Sequence, residues 1–372
     1  MGAYYTRVVI VRVLDKESLR NIVAGATFLG AGGGGSPADG LKLVDKILGI
    51  AEGVELVSLV EAPDTAYVAM IAGIGAPRAM KERGFDVEAV YAYEALERIY
   101  NLIGIKLPYL MAGELGGFNT ITPMYVAAYK KLSLVDCDGN GRAVPELATC
   151  LYPLYEIPAS PLVLADRKGN VVIGYPKDPM DTAACENIAR SFAVASGMVA
   201  AFGTWVVNVR TIKQSLVPNS VSKCESIGQA IKEAVKQGRD PVREAANVAN
   251  GHELIRGVIS DVSTKTVAGF DFGRTAIEGT ESYAGKKLYI DFKNENMIAW
   301  DENNEPVIMV PDLICLMTKE GEALTNADTQ KGMNIAVVGV SAPERWRAHP
   351  KGFDIWKNIL EKIGYTGAYK PT

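Results

Sequence analysis

Between Val8 and Val135 short β-branched or apolar runs alternate with longer segments of helical spacing, and no other feature of the chain restricts its fold more. Val8 to Leu14 reads as a strand, Lys16 to Phe28 as a helix, and Pro37 to Gly49 as a helix with Leu41, Val44 and Leu48 on one stripe. Tyr67 to Ile74 is continuously apolar, as in a strand covered on both faces. A helix over Val87 to Leu102, a strand at Tyr109 to Ala112, a helix over Thr122 to Lys131 and a strand at Leu132 to Val135 continue the alternation. The pattern predicts an α/β N-terminal layered domain with a largely buried sheet.

Past a hairpin turning at Arg167 to Asn170, two or three helices are expected from Met180 to about Asn250. From Gly251 the spacing changes to strand-length segments (ELIRGVISDV, KTVAGFDF, KLYIDFKNENMIAW, EPVIMVPDLICLM, NIAVVGV) separated by Gly, Asn or Asp turns. They predict a β-rich C-terminal domain, barrel-like or a small sheet, with flanking helices and a final helix over Phe353 to Ile363. At 372 residues the chain exceeds what one core usually serves, about 250–300 residues. Two domains are expected: residues 1–160, and residues 161–372, helical at about 180–250 and β-rich at about 251–343, with Pro158 to Pro161 as the linker.

A formal charge of −4 and the lack of any Lys/Arg run remove the electrostatic reason to expect nucleic acid or an anionic membrane surface. The longest apolar stretch, Tyr67 to Ala76, is far short of the roughly 20 residues that cross a bilayer. No basic segment followed by an apolar block opens the chain, so a cytoplasmic location is expected. Five widely spaced cysteines suit neither a disulfide framework nor a thiolate zinc site, and are expected to be small buried apolar residues. With only His252 and His349 available, acid–base work falls mainly to carboxylates.

Three segments carry candidate chemistry. Gly30 to Pro37 (GAGGGGSP) matches Gly-x-Gly-x-x-Gly, but it follows a helix where the dinucleotide fingerprint follows a strand, and it lacks the Gly-Lys-Ser/Thr end of a phosphate loop. Its backbone N–H groups, ending in Ser36 as N-cap and Pro37 at the first helical position, suit an anion or an oxyanion. A close-packed turn between helices is the alternative. Ala112 to Asn119 (AGELGGFN) places Glu114 and Asn119 beyond a strand's carboxyl end, where ligands of α/β sheets gather; Glu114 could equally cap the next helix. In Val135 to Leu147 (VDCDGNGRAVPEL), Asp136 and Asp138 share one strand face and need a cation, a shared proton or an arginine to offset their repulsion. A plain Asx turn is the alternative, and an EF-hand loop is excluded because its full ligand series is absent. Asn294, Glu295 and Asp312 sit at strand or turn positions of the β-rich half, and His252 is a lone histidine there.

Taken in order, the glycine loop, ELGGFN, DCDGNGRAVPEL, GFDFG, KNEN and PDLI resemble the S-methyl thiohydantoin desulfurase-like family over nearly the whole chain. Cys137 and Asn140 depart from the family's pattern. The resemblance implies an α/β and a β-rich domain, an association with hydantoinase and oxoprolinase proteins, and release of a sulfur leaving group from C2 of a five-membered thiohydantoin-type ring.

The expected activity is hydrolysis of such a cyclic amide. Asp138 or Asp136 takes a proton from water, the N–H groups of Gly32, Gly33, Gly34 and Gly35 hold the tetrahedral intermediate, and Glu146 or Glu114 assists departure of the leaving group. Arg142 pairs with an anionic substrate group or orients an aspartate. Ser36, Asn119, Asn294 and Glu295 complete the expected substrate contacts. A divalent metal on Asp136, Asp138 and Glu114, Mg or Mn rather than Zn, would also relieve the repulsion. A homo-oligomer is expected. A non-catalytic binding or assembly module serving a hydantoinase-type partner is the competing reading.

Overall fold

The computed structural model describes residues 11–75, 77–267 and 269–372; Val8 to Ile10 of the first expected strand and Ala76 lie outside them. Nine strands form a mixed sheet: β1 (Val11–Leu14), β2 (Val54–Val57), β3 (Tyr67–Gly75), β4 (Tyr109–Ala112), β5 (Ser133–Asp138), β6 (Leu162–Ala165), β7 (Val171–Gly174), β8 (Val199–Asn208) and β9 (Val217–Pro218). The order is β1-β2-β5-β4-β3-β8-β6-β7, with β9 paired to the end of β5. Strands β2, β5, β4 and β3 are parallel, and the remaining pairs are antiparallel. The expected linker at 158–161 falls within this sheet, because β6 to β9 all lie beyond it.

Local signals act as expected around the glycine loop. Asp15 caps the helix Lys16–Leu29 by accepting from the Ser18 N–H, and Ser36 caps the helix Pro37–Ile50 with proline in its first turn. Strands β2, β8 and β9 go beyond the expected set, and β8 is the longest of them. Within the stretch read as helices, β8 runs for ten residues beside β3 and is almost wholly buried. Its apolar run, interrupted by Gly203, has neither a helical stripe nor a period of two, since both faces are covered. The helices Thr182–Ala195, Val209–Ser215, Ser220–Lys236 and Pro241–Ala249 flank it in the chain.

Eight antiparallel strands make the second sheet: β10 (Gly251–Val267), β11 (Phe270–Gly279), β12 (Lys287–Lys293), β13 (Glu295–Asp301), β14 (Pro306–Met309), β15 (Leu313–Thr318), β16 (Ala323–Leu324) and β17 (Asn334–Val340). Their order is β14-β13-β12-β11-β10-β17-β15-β16, an open path rather than a closed barrel. Alternation splits β15 between two cores. Ile314 and Leu316 join a core made by the sheet's own strands, whereas Leu313, Cys315 and Met317 pack with the helix Lys16–Leu29 and its neighbours. The two domains therefore share one apolar core along the seam between them. The closing helix is Lys357–Ile363, shorter than expected because Asp354–Trp356 forms a 3-10 turn. Among the described residues no helix is long and apolar enough to cross a membrane. All five cysteines are free and buried.

Candidate active site

The carboxyl ends of β4 and β5 meet the glycine loop and the start of β13 at this seam. Glu114 stands just beyond β4, where the Val144 N–H donates to Oε2 at 2.9 Å and Asn119 Nδ2 donates to Oε1 at 2.7 Å. Asn119 in turn accepts from the Gly73 N–H of β3 at 3.2 Å, so its amide orients Glu114 from the neighbouring strand. Glu114 does not cap the following helix, whose N-cap residue is Ile121. Part of Glu114 remains accessible, but its carboxyl group lies deep in the seam. Burial raises its pKa to about 7, against two hydrogen bonds and the charge of Arg142.

Glu295 reaches the same place from the second sheet. A Cβ on Gly33 would stand 2.0 Å from its Oε1, so the glycine permits the carboxyl to lie on the loop backbone. The Gly34 N–H favours its charged form, yet burial dominates, seconded by Glu114, and raises the pKa to about 8. Gly34 has φ +77, and its Cα side abuts Gly116, with a Cβ 2.4 Å from the Gly116 Cα. Four glycines in a row thus serve a close approach on two sides. The group that this loop meets is the protein's own Glu295 carboxyl, and Asn296 and Asn326 crowd Gly32 from the second domain. Among the described residues Glu295 Oε2, Asn296 Oδ1 and Asn326 Oδ1 have no hydrogen-bond partner. Gly33, Gly35, Ser36 and Asn119 keep partial exposure, which gives the cluster an edge on solvent.

Arg142 is fully buried beneath these acids. Its Nε donates to Ala143 O, Nη1 to Pro311 O and Asp312 O, and Nη2 to Asn296 O, at 2.8–3.1 Å. It therefore braces the two domains through carbonyls; it neither orients an aspartate nor presents a free fork to a ligand. Burial lowers its pKa to about 10, with Glu295 the first of the groups opposing that fall. It remains a cation at neutral pH and favours ionisation of Glu114 and Glu295.

Asp136 and Asp138 do share one face of β5, but their repulsion is relieved differently from expectation. Pairing of β9 with β5 brings the start of the helix Ser220–Lys236 over both. Asp136 accepts from the Val221 and Ser222 N–H groups and from the Ser222 hydroxyl, so both its oxygens are engaged as a helix cap. Asp138 Oδ2 accepts from the Asn140 and Gly141 N–H groups at 2.8 and 2.7 Å. Burial nonetheless raises its pKa to about 7. The Ser220 hydroxyl lies close enough to favour its charged form, but without hydrogen-bonding geometry, and Asp138 Oδ1 and Ser220 Oγ both lack partners.

The expected metal site does not form. Asp136 is consumed by the helix, and among the described residues no group of three or more His, Cys, Asp or Glu is arranged to hold a metal ion. Glu146 lies apart from Glu114 and pairs with Lys293, a buried lysine that packs over the Phe270 ring at 4.1 Å. Burial and Lys362 lower the Lys293 pKa to about 8, while Glu295 and the adjoining Glu146 favour the ammonium. Asn294 is structural: at φ +56 it turns β12 into β13, and its side chain accepts from the Asp271 N–H. Asp312 accepts from the Ala342 N–H, the Tyr369 hydroxyl and the Thr372 N–H. His252 lies exposed on β10.

Sequence reasoning passed over Lys293, Asn296, Asn326 and Ser220. A lysine ending the apolar strand KLYIDFK was the available signal for the first; the others are marked only by contacts across the seam.

A solved protein from Chromobacterium violaceum, a structural genomics target, is similar in fold: TM-score 0.83 at 22% identity, covering 97% of this chain and 99% of that one. No curated protein matches the chain. Family models described as S-Me-THD-like match in order, the N-terminal domain over residues 17–175 and the C-terminal domain over 180–372. The seam just described is therefore made by both of that family's domains, and the chain belongs to the S-methyl thiohydantoin desulfurase-like family.

Proposed function

We propose that the protein is a hydrolase of hydantoin- or thiohydantoin-type rings, in which water replaces a thiol at C2. The observation that carries this reading is the pair Glu114 and Glu295, raised to about 7 and about 8 on either side of one glycine loop. Groups poised near neutrality can exchange protons with a reacting molecule, and two acids separated in pKa can divide the roles of base and acid. Family membership supports the ring and its sulfur substituent as substrate class.

In this mechanism the Glu114 carboxylate, oriented by Asn119 and the Val144 N–H, takes a proton from water as its oxygen bonds to C2. The ring nitrogen receives the displaced electron pair of the C2=N bond. That pair returns as the C2–S bond breaks, the thiolate takes a proton from neutral Glu295, and the second water proton moves from the C2 hydroxyl through solvent to the ring nitrogen as the C2 carbonyl forms. Glu295 is then reprotonated through Glu114, so ring thioether and water give ring carbonyl and thiol. Arg142 lies beneath both acids and limits the cost of holding either one charged.

The test is incubation of the pure chain with an S-methyl thiohydantoin in ¹⁸O-labelled water. One labelled oxygen at C2 and stoichiometric thiol are expected, both lost in Glu114→Gln. Absence of thiol release above a buffer control from every ring tried would end the proposal.

A further inference from the structure

We infer that a cleft at the domain seam binds a small organic carboxylate carrying an apolar body and an amide or hydroxyl at its far end. The cleft has a volume of about 410 Å³, within the range of small-molecule sites, and lies beside the start of the helix Ser220–Lys236. Its chemistry is graded from mouth to floor. Arg347, exposed, and Lys223, half-buried, stand on its walls with the exposed Glu344, which leaves one net positive charge. The Lys223 ammonium makes one hydrogen bond, to Ala249 O at 3.3 Å, and among the described residues it faces no carboxylate in an ion pair. An ammonium has three donors, so this one can still take an anion.

Leu29, Leu313 and Val340 supply apolar wall. At the floor Ser220 is 3% exposed; among the described residues its hydroxyl has no partner, and it adjoins the equally unpartnered Oδ1 of the fully buried Asp138. Buried polar atoms are nearly always hydrogen-bonded, so a donor–acceptor pair left open beside a cleft suits a ligand's polar end. The raised pKa of Asp138 adds to this, because a carboxyl group near neutrality can donate as well as accept. A carboxylate thus meets Lys223 and Arg347, an apolar body meets the walls, and an amide or hydroxyl meets Ser220 and Asp138. Binding here involves neither Glu114 nor Glu295 and stands whether or not that pair turns over a ring.

Isothermal titration of the full chain with 6-acetamidohexanoate, whose carboxylate and amide lie at opposite ends of an apolar chain, tests the assignment. Saturable binding is expected, weakened about tenfold or more in 6-acetamidohexanamide, which lacks the carboxylate, and by a similar factor in Lys223→Met and Arg347→Met. Ser220→Ala is expected to weaken the acid and the amide by the same factor, because it acts at the other end. Unchanged melting temperatures certify the folds of the variants. No binding of either probe, or binding of the acid that ignores both cation substitutions, would overturn the inference.

Discussion

Glu295 and Asp312 are both acids buried at the domain seam, and both lie near Arg142, yet they live under opposite conditions. Asp312 accepts from three donors, the Ala342 N–H, the Tyr369 hydroxyl and the Thr372 N–H, and so fastens the C-terminal segment to the second sheet. Glu295 lies on the glycine loop with one oxygen unpartnered and its pKa pushed up to about 8. A satisfied buried carboxylate stabilises the folded state, whereas an under-satisfied one lowers stability and keeps a proton near neutrality. The contrast separates structure from chemistry among acids that look alike in the sequence.

The sharpest way to break the comparison is to exchange its consequences. Glu114→Gln, on the reactive side, is expected to lower kcat for ring hydrolysis by about 10²- to 10⁴-fold with the fold intact, as read from initial rates and circular dichroism. Asp312→Ala, on the structural side, strands two N–H groups and a hydroxyl. It is expected to cost about 2–4 kcal/mol in urea unfolding while leaving kcat per folded molecule within a factor of about two. If Asp312→Ala removed turnover from folded protein, or Glu114→Gln left it intact, the division would be wrong.

The parts of this arrangement that were legible in the sequence are those whose causes are local. Ser36 and Pro37 signal a helix start from adjacent residues, and Glu114 is placed beyond β4 by the run YLMA that precedes it. The shared face of Asp136 and Asp138 follows from the period of a strand. What they meet on that face does not, because the helix beginning at Ser220 arrives through the pairing of β9 with β5. Arg142 misleads for the same reason. In a turn rich in acids an arginine reads as their partner, but three of the four oxygens it meets belong to Asn296, Pro311 and Asp312 of the second domain. The four glycines read first as a cradle for an anion or oxyanion and only alternatively as a close-packed turn, and the group that lies on them, Glu295, is marked in the sequence by nothing but KNEN. Strand β8 was lost because a wholly buried run has no polar face to set its period.

The pH dependence of turnover sharpens the same contrast with a smaller effect. Glu114 must be ionised to accept a proton and Glu295 protonated to donate one, so kcat/KM is expected to rise through about pH 7 and fall through about pH 8. Each further pH unit beyond either limb should cost up to about tenfold. Glu295→Gln should lose the falling limb and retain the rising one. A profile flat from pH 6 to about pH 9 would remove both residues from the chemistry.

The smallest effect concerns stability and opposes the effect on activity. Glu295 in the folded chain keeps its proton up to about pH 8, whereas in the unfolded chain it ionises near its ordinary value of 4.5. Between these values the unfolded state sheds a proton that the folded state retains, so stability falls as pH rises. The contribution is fully present below about 4.5 and lost once pH has passed through about 8. Glutamine in the same place cannot ionise and escapes that loss. Glu295→Gln is therefore expected to gain on the parent chain, by about 1 kcal/mol, as urea unfolding is moved from pH 7 to pH 8.5. An unchanged difference between Glu295→Gln and the parent chain across that range would mean that Glu295 does not keep its proton in the folded chain.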